Sequence, residues 1–229
     1  LKPRITVSLL VLLAYAACGM LVLVLAAHGD TPTSSNRVEF AAELVQGASV
    51  PNLVTTIYLK NRLYDTIFEV FVFSVAVTGV WLYMKRVEVT EEITFISEIP
   101  AVISGRIAAA FSVLIGVYLA LWGHLSPGGG FAAGVAGGTG LVLVAITGDL
   151  ERTWERYESL KMGTLEKYAL ILILVISVVV FLGYDLPTGK FGNVFSGGSI
   201  PILNLLIFFK VMTGTWLISY VFIKHRGIL

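Results

Sequence analysis

The chain has 229 residues, of which 56% are hydrophobic and only 14% charged, and its mean hydropathy is +0.86. A soluble domain carries about 25% charged residues, so this chain lacks the polar surface that would coat a globule in water. A formal charge of +1 provides no field to draw in nucleic acid, and one cysteine, Cys18, excludes a disulfide framework or a thiolate zinc site. Composition therefore predicts an all-α, polytopic protein of the lipid bilayer.

A bilayer core about 30 Å thick is crossed by about 20 mostly apolar helical residues. Six segments meet that requirement, at 5–27, 65–84, 107–122, 131–147, 168–182 and 202–223. The first reads as a retained span and not a cleaved leader, because its apolar stretch exceeds the ~7–15 residues of a signal peptide. Between the first two spans, residues 28–64 form a long connector whose second part, 50–64, reads as an interfacial stretch. Residues 85–105 carry Glu88, Glu91, Glu92 and Glu98 and separate a two-span front from a four-span back, which sets segments at 1–99 and 100–229. Residues 148–167 read as a charged, partly helical linker whose charges face solvent.

Six spans bring both termini to one side of the membrane. Lys2, Arg4, Lys85, Arg86, Arg106, Arg152, Arg156, Lys161, Lys167, Lys224 and Arg226 fall on that side, against Arg37, Lys60, Arg62 and Lys190 on the other. The positive-inside rule then predicts cytoplasmic termini in a multi-pass protein of the cell membrane.

Chemistry within the spans rests on few residues. The second span opens Asp65-Thr-Ile-Phe-Glu69, a spacing that puts both carboxylates on one helical face. Asp65 suits the positive end of the helix dipole as a cap. Glu69 lies one turn deeper, where an ionised group is costly and by default faces a partner or a wet cavity. It is a candidate for an ion or proton path, the alternative being a structural hydrogen bond or ion pair. Lys210 lies nine residues after Pro201 in the last span, roughly 13 Å into the helix, too deep to snorkel easily. A buried lysine can exchange a proton, or it can sit in a structural ion pair. The topology permits a Glu69–Lys210 contact; a lysine from another subunit is the alternative partner for Glu69.

The segment Gly123-His-Leu-Ser-Pro-Gly-Gly-Gly-Phe131 predicts a tight turn between the third and fourth spans. Gly130, Gly134 and Gly138 follow at i, i+4 and i+8 and predict a smooth face for close helix packing. His124, at the end of a span, is a candidate proton carrier or an interfacial hydrogen-bonder. No His/Cys/Asp/Glu set has metal-ligand spacing and no nucleophile–base constellation is recognisable, which argues against a membrane-embedded enzyme and predicts no cofactor of the chain's own.

The 123–131 segment resembles the signature of the MnhB/MrpB subunits of multisubunit Mrp-type sodium/proton antiporters. Ile200-Pro-Ile-Leu-Asn204, followed by Lys210-Val211, is similar to that family's final span. One departure is Ala132-Ala133-Gly134, where the family has a second glycine pair. At the front, Asp65-Thr-Ile-Phe-Glu69, with the preceding Asn52-Leu-Val-Thr-Thr-Ile-Tyr-Leu, looks like the Asp-Thr-x-x-Glu segment near the end of MrpA, or the MbhE subunit of archaeal membrane-bound hydrogenases. The resemblance implies a non-redox subunit beside antiporter-like membrane subunits and a redox module, within an archaeal hydrogenase or sulfur-reducing complex. It implies a Na+ and/or H+ path that includes Glu69 and, with a less defined role, Asp65. Two other readings stand beside it. Six spans would suffice for an autonomous secondary transporter, but the inverted repeats or paired broken helices expected in many such folds are not evident. A purely structural scaffold would use Glu69 and Lys210 only to join subunits.

Overall fold

The structure is a computed structural model that describes residues 34–86, 96–148 and 150–226. It forms two compact units, Leu1–Phe40 and Ala41–Leu229. The expected first span lies outside the described residues. Described secondary structure is helical throughout: α1 (Ser34–Ala48), α2 (Leu53–Thr56), a π-helical stretch (Ile57–Asn61), α3 (Leu63–Met84), α4 (Ile99–Trp122), α5 (Gly130–Ile146), α6 (Leu150–Ser159), α7 (Met162–Phe181) and α8 (Ile200–Arg226).

Local sequence explains several boundaries. Asn52 caps α2, its Oδ1 accepting from the amides of Val54 and Thr55 at 3.1 and 3.3 Å. The π-helical stretch closes with Arg62 N donating to Ile57 O at 2.7 Å, five residues back, and the freed carbonyl of Tyr58 is taken by Thr66 Oγ1 at 2.6 Å. Pro100 sits in the first turn of α4, where its missing N–H costs nothing. Gly129, at φ 150°, ends the turn ahead of α5, and Lys161 adopts a left-handed conformation (φ 50°) between α6 and α7.

Four of the helices, α3, α4, α7 and α8, are long and apolar enough to cross a membrane, and α5 is a shorter apolar helix. Contacts settle their directions. Gly116 of α4 meets Ala133 and Gly137 of α5, whereas Val113 meets Gly140, so α4 and α5 are antiparallel. Gly130, Gly134 and Gly138 meet Asn204, Val211 and Thr215 in the same order, so α5 and α8 run parallel. One end of the bundle therefore collects residues 50–62, 123–129 and 182–199, here termed the turn end; the opposite end carries α6 and is termed the linker end.

Helix α8 is the centre. Burial takes 56% of its apolar window but only 11–22% of the windows in α3, α4 and α7, whose outer faces are left for lipid or other subunits. At the turn end Leu59, Leu63, Val70, Ile173, Leu203 and Ile207 form one core; at the linker end Met84, Ala145, Leu150, Trp216 and Tyr220 form another.

Two expectations need correction. Residues 50–64 are not simply interfacial: Val50, Thr55, Thr56, Leu59 and Leu63 are buried in the bundle. Nor is 148–167 one solvated face. Helix α6 is amphipathic, with Leu150 buried and Trp154 stacked on Tyr220 at 4.2 Å, and α7 starts at Met162, so that Glu166 belongs to the bundle interior. The charges on Lys161, Glu166 and Lys167 hide the true start of that span from a hydropathy count.

Candidate functional site

At the turn end a polar network ties the glycine turn to α8. Asn52 Nδ2 donates to the carbonyls of Gly123 and Ser126 at 2.8 and 2.7 Å, and Thr55 Oγ1 donates to Gly123 O at 2.7 Å. Fully buried Asn204 donates from Nδ2 to Ala120 O at 2.6 Å and Leu119 O at 3.3 Å, and its Oδ1 accepts from Tyr58 Oη at 3.3 Å. Tyr58 in turn lies where a side chain on Gly129 would be, 2.6 Å from its ideal Cβ position. In the last turn of α4 the carbonyls of Leu119 and Ala120 are thus held by a side chain, while that of Trp122 accepts from the amides of Leu125 and Ser126.

His124 sits inside this network. It is fully buried, its Nε2 lies 3.0 Å from Val194 O, and its Nδ1 has no partner. Burial lowers its pKa below the ordinary 6.5, while the carbonyls of Val194 and Asn193 pull the other way. A neutral ring donating from Nε2 satisfies the geometry; a second proton on Nδ1 would find no acceptor.

Asp65 opens α3 as a half-exposed carboxylate paired with Arg62 Nη2 at 2.5 Å. Glu69, one turn deeper, is different. Its side chain is exposed on the outer face of α3, beside the exposed Phe68, Phe71 and Val72, and it has no ion-pair partner among the described residues. Roughly 9 Å along the helix from Leu63, that position lies inside the span.

Lys210 is buried, with 3% of its side chain exposed, and pairs not with Glu69 but with Glu166 of α7, its Nζ donating to Oε1. The Phe73 ring lies 5.8 Å from the same ammonium. Glu166 was hidden in sequence by its place in a charged stretch. Its signal is an acidic residue in the second turn of a helix whose later turns, from Ala169 on, are apolar but for Ser177.

The glycine face of α5 meets α8 at backbone distance. A Cβ on Gly130 would lie 2.6 Å from Asn204 O, one on Gly134 2.5 Å from Val211 Cβ, and one on Gly138 2.7 Å from Thr215 Cβ. Asn204 can reach α4 because α5 and α8 are this close. No group of three or more potential metal ligands occurs among the described residues.

A family model described as a domain related to the MnhB subunit of Na+/H+ antiporter matches residues 99–217. An uncharacterized protein of Methanocaldococcus jannaschii is 27% identical over 240 residues, covering 90% of this chain and 88% of that protein. Among solved structures, the fold is similar to a chain of the membrane-bound sulfane sulfur reductase, an archaeal respiratory membrane complex, with a TM-score of 0.68, 23% identity and coverage of 99% of this chain and 100% of the other. It is also similar to part of the Mrp complex from Dietzia sp., with a TM-score of 0.63, 18% identity and coverage of 99% of this chain and 26% of that one.

Proposed function

The chain belongs to the family of domains related to the MnhB subunit of Na+/H+ antiporters, and on that premise we propose that it is a non-redox transmembrane subunit of an Mrp-type antiporter-like complex that helps to form a path for Na+ and/or H+. The observation that carries the reading is Glu69. A carboxylate on the outward face of a span, set among exposed aromatic and aliphatic side chains and unpaired within the described chain, would meet hydrocarbon if the chain stood alone. A neighbouring membrane subunit that covers it turns the same position into a path between subunits. Asp65, paired with Arg62 at the mouth of α3, lies one turn toward the turn end, where an approaching cation would meet it first.

The fold likeness to a chain of the sulfane sulfur reductase favours a respiratory host with a redox module. Of the two archaeal host types that the sequence suggests, the sulfur-reducing one is the type this chain resembles in structure. Arg106, Arg152, Arg156, Lys161, Lys167 and Lys224 at the linker end, against Lys60, Arg62 and Lys190 at the turn end, favour a cytoplasmic linker end.

The test has two parts. Gentle purification from native membranes should bring down antiporter-like membrane proteins in fixed proportion; a lone, stable chain that transports cations in liposomes would favour an autonomous transporter instead. In the purified complex, Glu69→Gln should leave assembly intact and lower cation-coupled transport by roughly tenfold or more, since the negative charge is lost where it would meet the ion. Full coupling in that variant would overturn the assignment of Glu69.

A further inference from the structure

The buried ion pair has an approach of its own, on the side of the bundle away from the Asp65 mouth. A cavity of about 570 Å³ opens at the linker end, walled by Thr78 and Trp81 of α3, Tyr157 of α6, and Lys161, Thr164 and Glu166 at the start of α7. That is far more than the ~15 Å³ needed for one water. Glu166 therefore has two faces: one forms part of the cavity wall, and the other accepts from Lys210.

The groups around it suit water. From α6 come Tyr157, whose buried hydroxyl has no partner, and Glu158; from the start of α7 come Lys161 and Lys167; from α8 comes Lys210; the α3 wall of Val77, Thr78 and Trp81 offers no titratable group. A phenol left without an acceptor beside a cavity whose wall also carries Glu158, Lys161, Glu166 and Lys167 is a place for ordered water. Its pKa is pushed up to about 12, by burial first and then by the negative charge of Glu166, so Tyr157 remains a neutral donor.

We propose that Glu166 is a proton-exchange site loaded from the linker-end cavity, with Lys210 as its fixed counter-charge. A proton from cavity water adds to one carboxylate oxygen, giving a neutral acid; Lys210 keeps its three protons and loses its counter-charge. Release returns the proton to water. The pair thus steps from neutral to +1, and the added charge sits beside Phe73, one helical turn from Glu69. Loading the proton therefore disfavours a cation on that stretch of α3. This coupling rests on the reading given under Proposed function; proton binding at Glu166 does not.

The competing description is a permanently charged structural pair. Infrared pH-difference spectroscopy on the purified complex separates the two. Acidification should produce a protonated-carboxyl band that persists in Glu69→Gln, is absent in Glu166→Gln and shifts in Glu166→Asp. An unchanged band in Glu166→Gln overturns the proposal. Should Glu166→Gln fail to assemble, Thr164→Trp, which fills the cavity and keeps the pair, should slow the appearance of the band at least severalfold; an unchanged rate overturns it. Exchanging the partners, Glu166→Lys with Lys210→Glu, should restore assembly without coupling, and restored coupling would show a structural pair. A Glu166 band in a wild-type complex that moves no cation would overturn the transport reading while leaving proton exchange at Glu166 in place.

Discussion

Gly134 on α5 lies so close to Val211 on α8 that a Cβ added to it would come within 2.5 Å of the valine Cβ and 2.9 Å of the Phe208 carbonyl. Both neighbours are on a buried helix with no room to retreat, and one of them is backbone. Gly134→Ala should therefore cost about 1–3 kcal/mol through overpacking, and Val211→Ala in the same chain should recover only part of it. Gly79, on the outer face of α3, has nothing within 4 Å, and Gly79→Ala should leave the isolated chain unchanged or add about 0.5–1 kcal/mol through helix propensity. Thermal unfolding of the purified chain in detergent compares the two.

Asn204 holds two carbonyls at the end of α4 and accepts from Tyr58. Replacing it by Leu strands two buried acceptors, so Asn204→Leu should destabilise by about 1–3 kcal/mol, against about 0.5–1.5 kcal/mol for Tyr58→Phe. Because the two share a bond, the double variant should cost less than the sum, which a double-mutant cycle in the same melts would reveal.

His124 makes stability depend on pH. Its folded pKa is lowered by burial, so between that value and the unfolded 6.5 the unfolded chain binds more protons. Stability is then fully present above pH 6.5 and falls as the pH drops toward the folded pKa, below which both states are protonated and the slope vanishes. His124→Gln should remove that slope while the rest of the acid profile stays. Melting temperature scanned across mildly acidic pH checks it.

Asp185 anchors the loop before α8. Its carboxylate accepts from the amides of Leu186 and Ser199 at 2.8 and 3.0 Å and pairs with Lys60 at 3.3 Å. Burial pushes its pKa up, but the bonds to Ser199 and the Lys60 charge outweigh this and lower it below 3.8. Its contribution is accordingly present above pH 3.8 and lost only as the pH falls through the lower folded value. Lys60→Ala should cost under about 1 kcal/mol, because the pair is partly exposed. Asp185→Ala leaves two amides without their acceptor and should cost about 1–3 kcal/mol, read in the same melts.

Much of this was legible in the sequence. Long apolar runs fixed the helices because hydropathy over 20 residues averages out single exceptions, and the Pro-Gly turn ahead of Gly130 marked where α4 reverses into α5. Chain direction permitted Glu69 as a partner for Lys210, whereas Glu166 lay in a stretch that reads as facing solvent; the choice depends on where α7 starts and on how α3 and α7 are rotated about their axes. Glu69 turns outward and Glu166 inward. The π-helical stretch at Ile57–Asn61 left no composition signal, since one extra residue per turn changes the register without changing the residue types. Asn52 and Tyr58 reach Gly123 and Asn204 across 71 and 146 residues of chain, contacts that no local pattern encodes.

The glycines of α5 also decide which parts of the protein can move. On one side Gly130, Gly134 and Gly138 bring its main chain against α8; on the other, Gly140 meets the Ala109 carbonyl, and Gly116 of α4 meets the main chain of Ala133 and Gly137. A contact made by backbone has no rotamers through which to yield, so α4, α5 and α8 form a single rigid plate. Side-chain contacts, which can yield, are left to the two long apolar helices seated on its edge. These are α3 and α7, which carry Glu69 and Glu166.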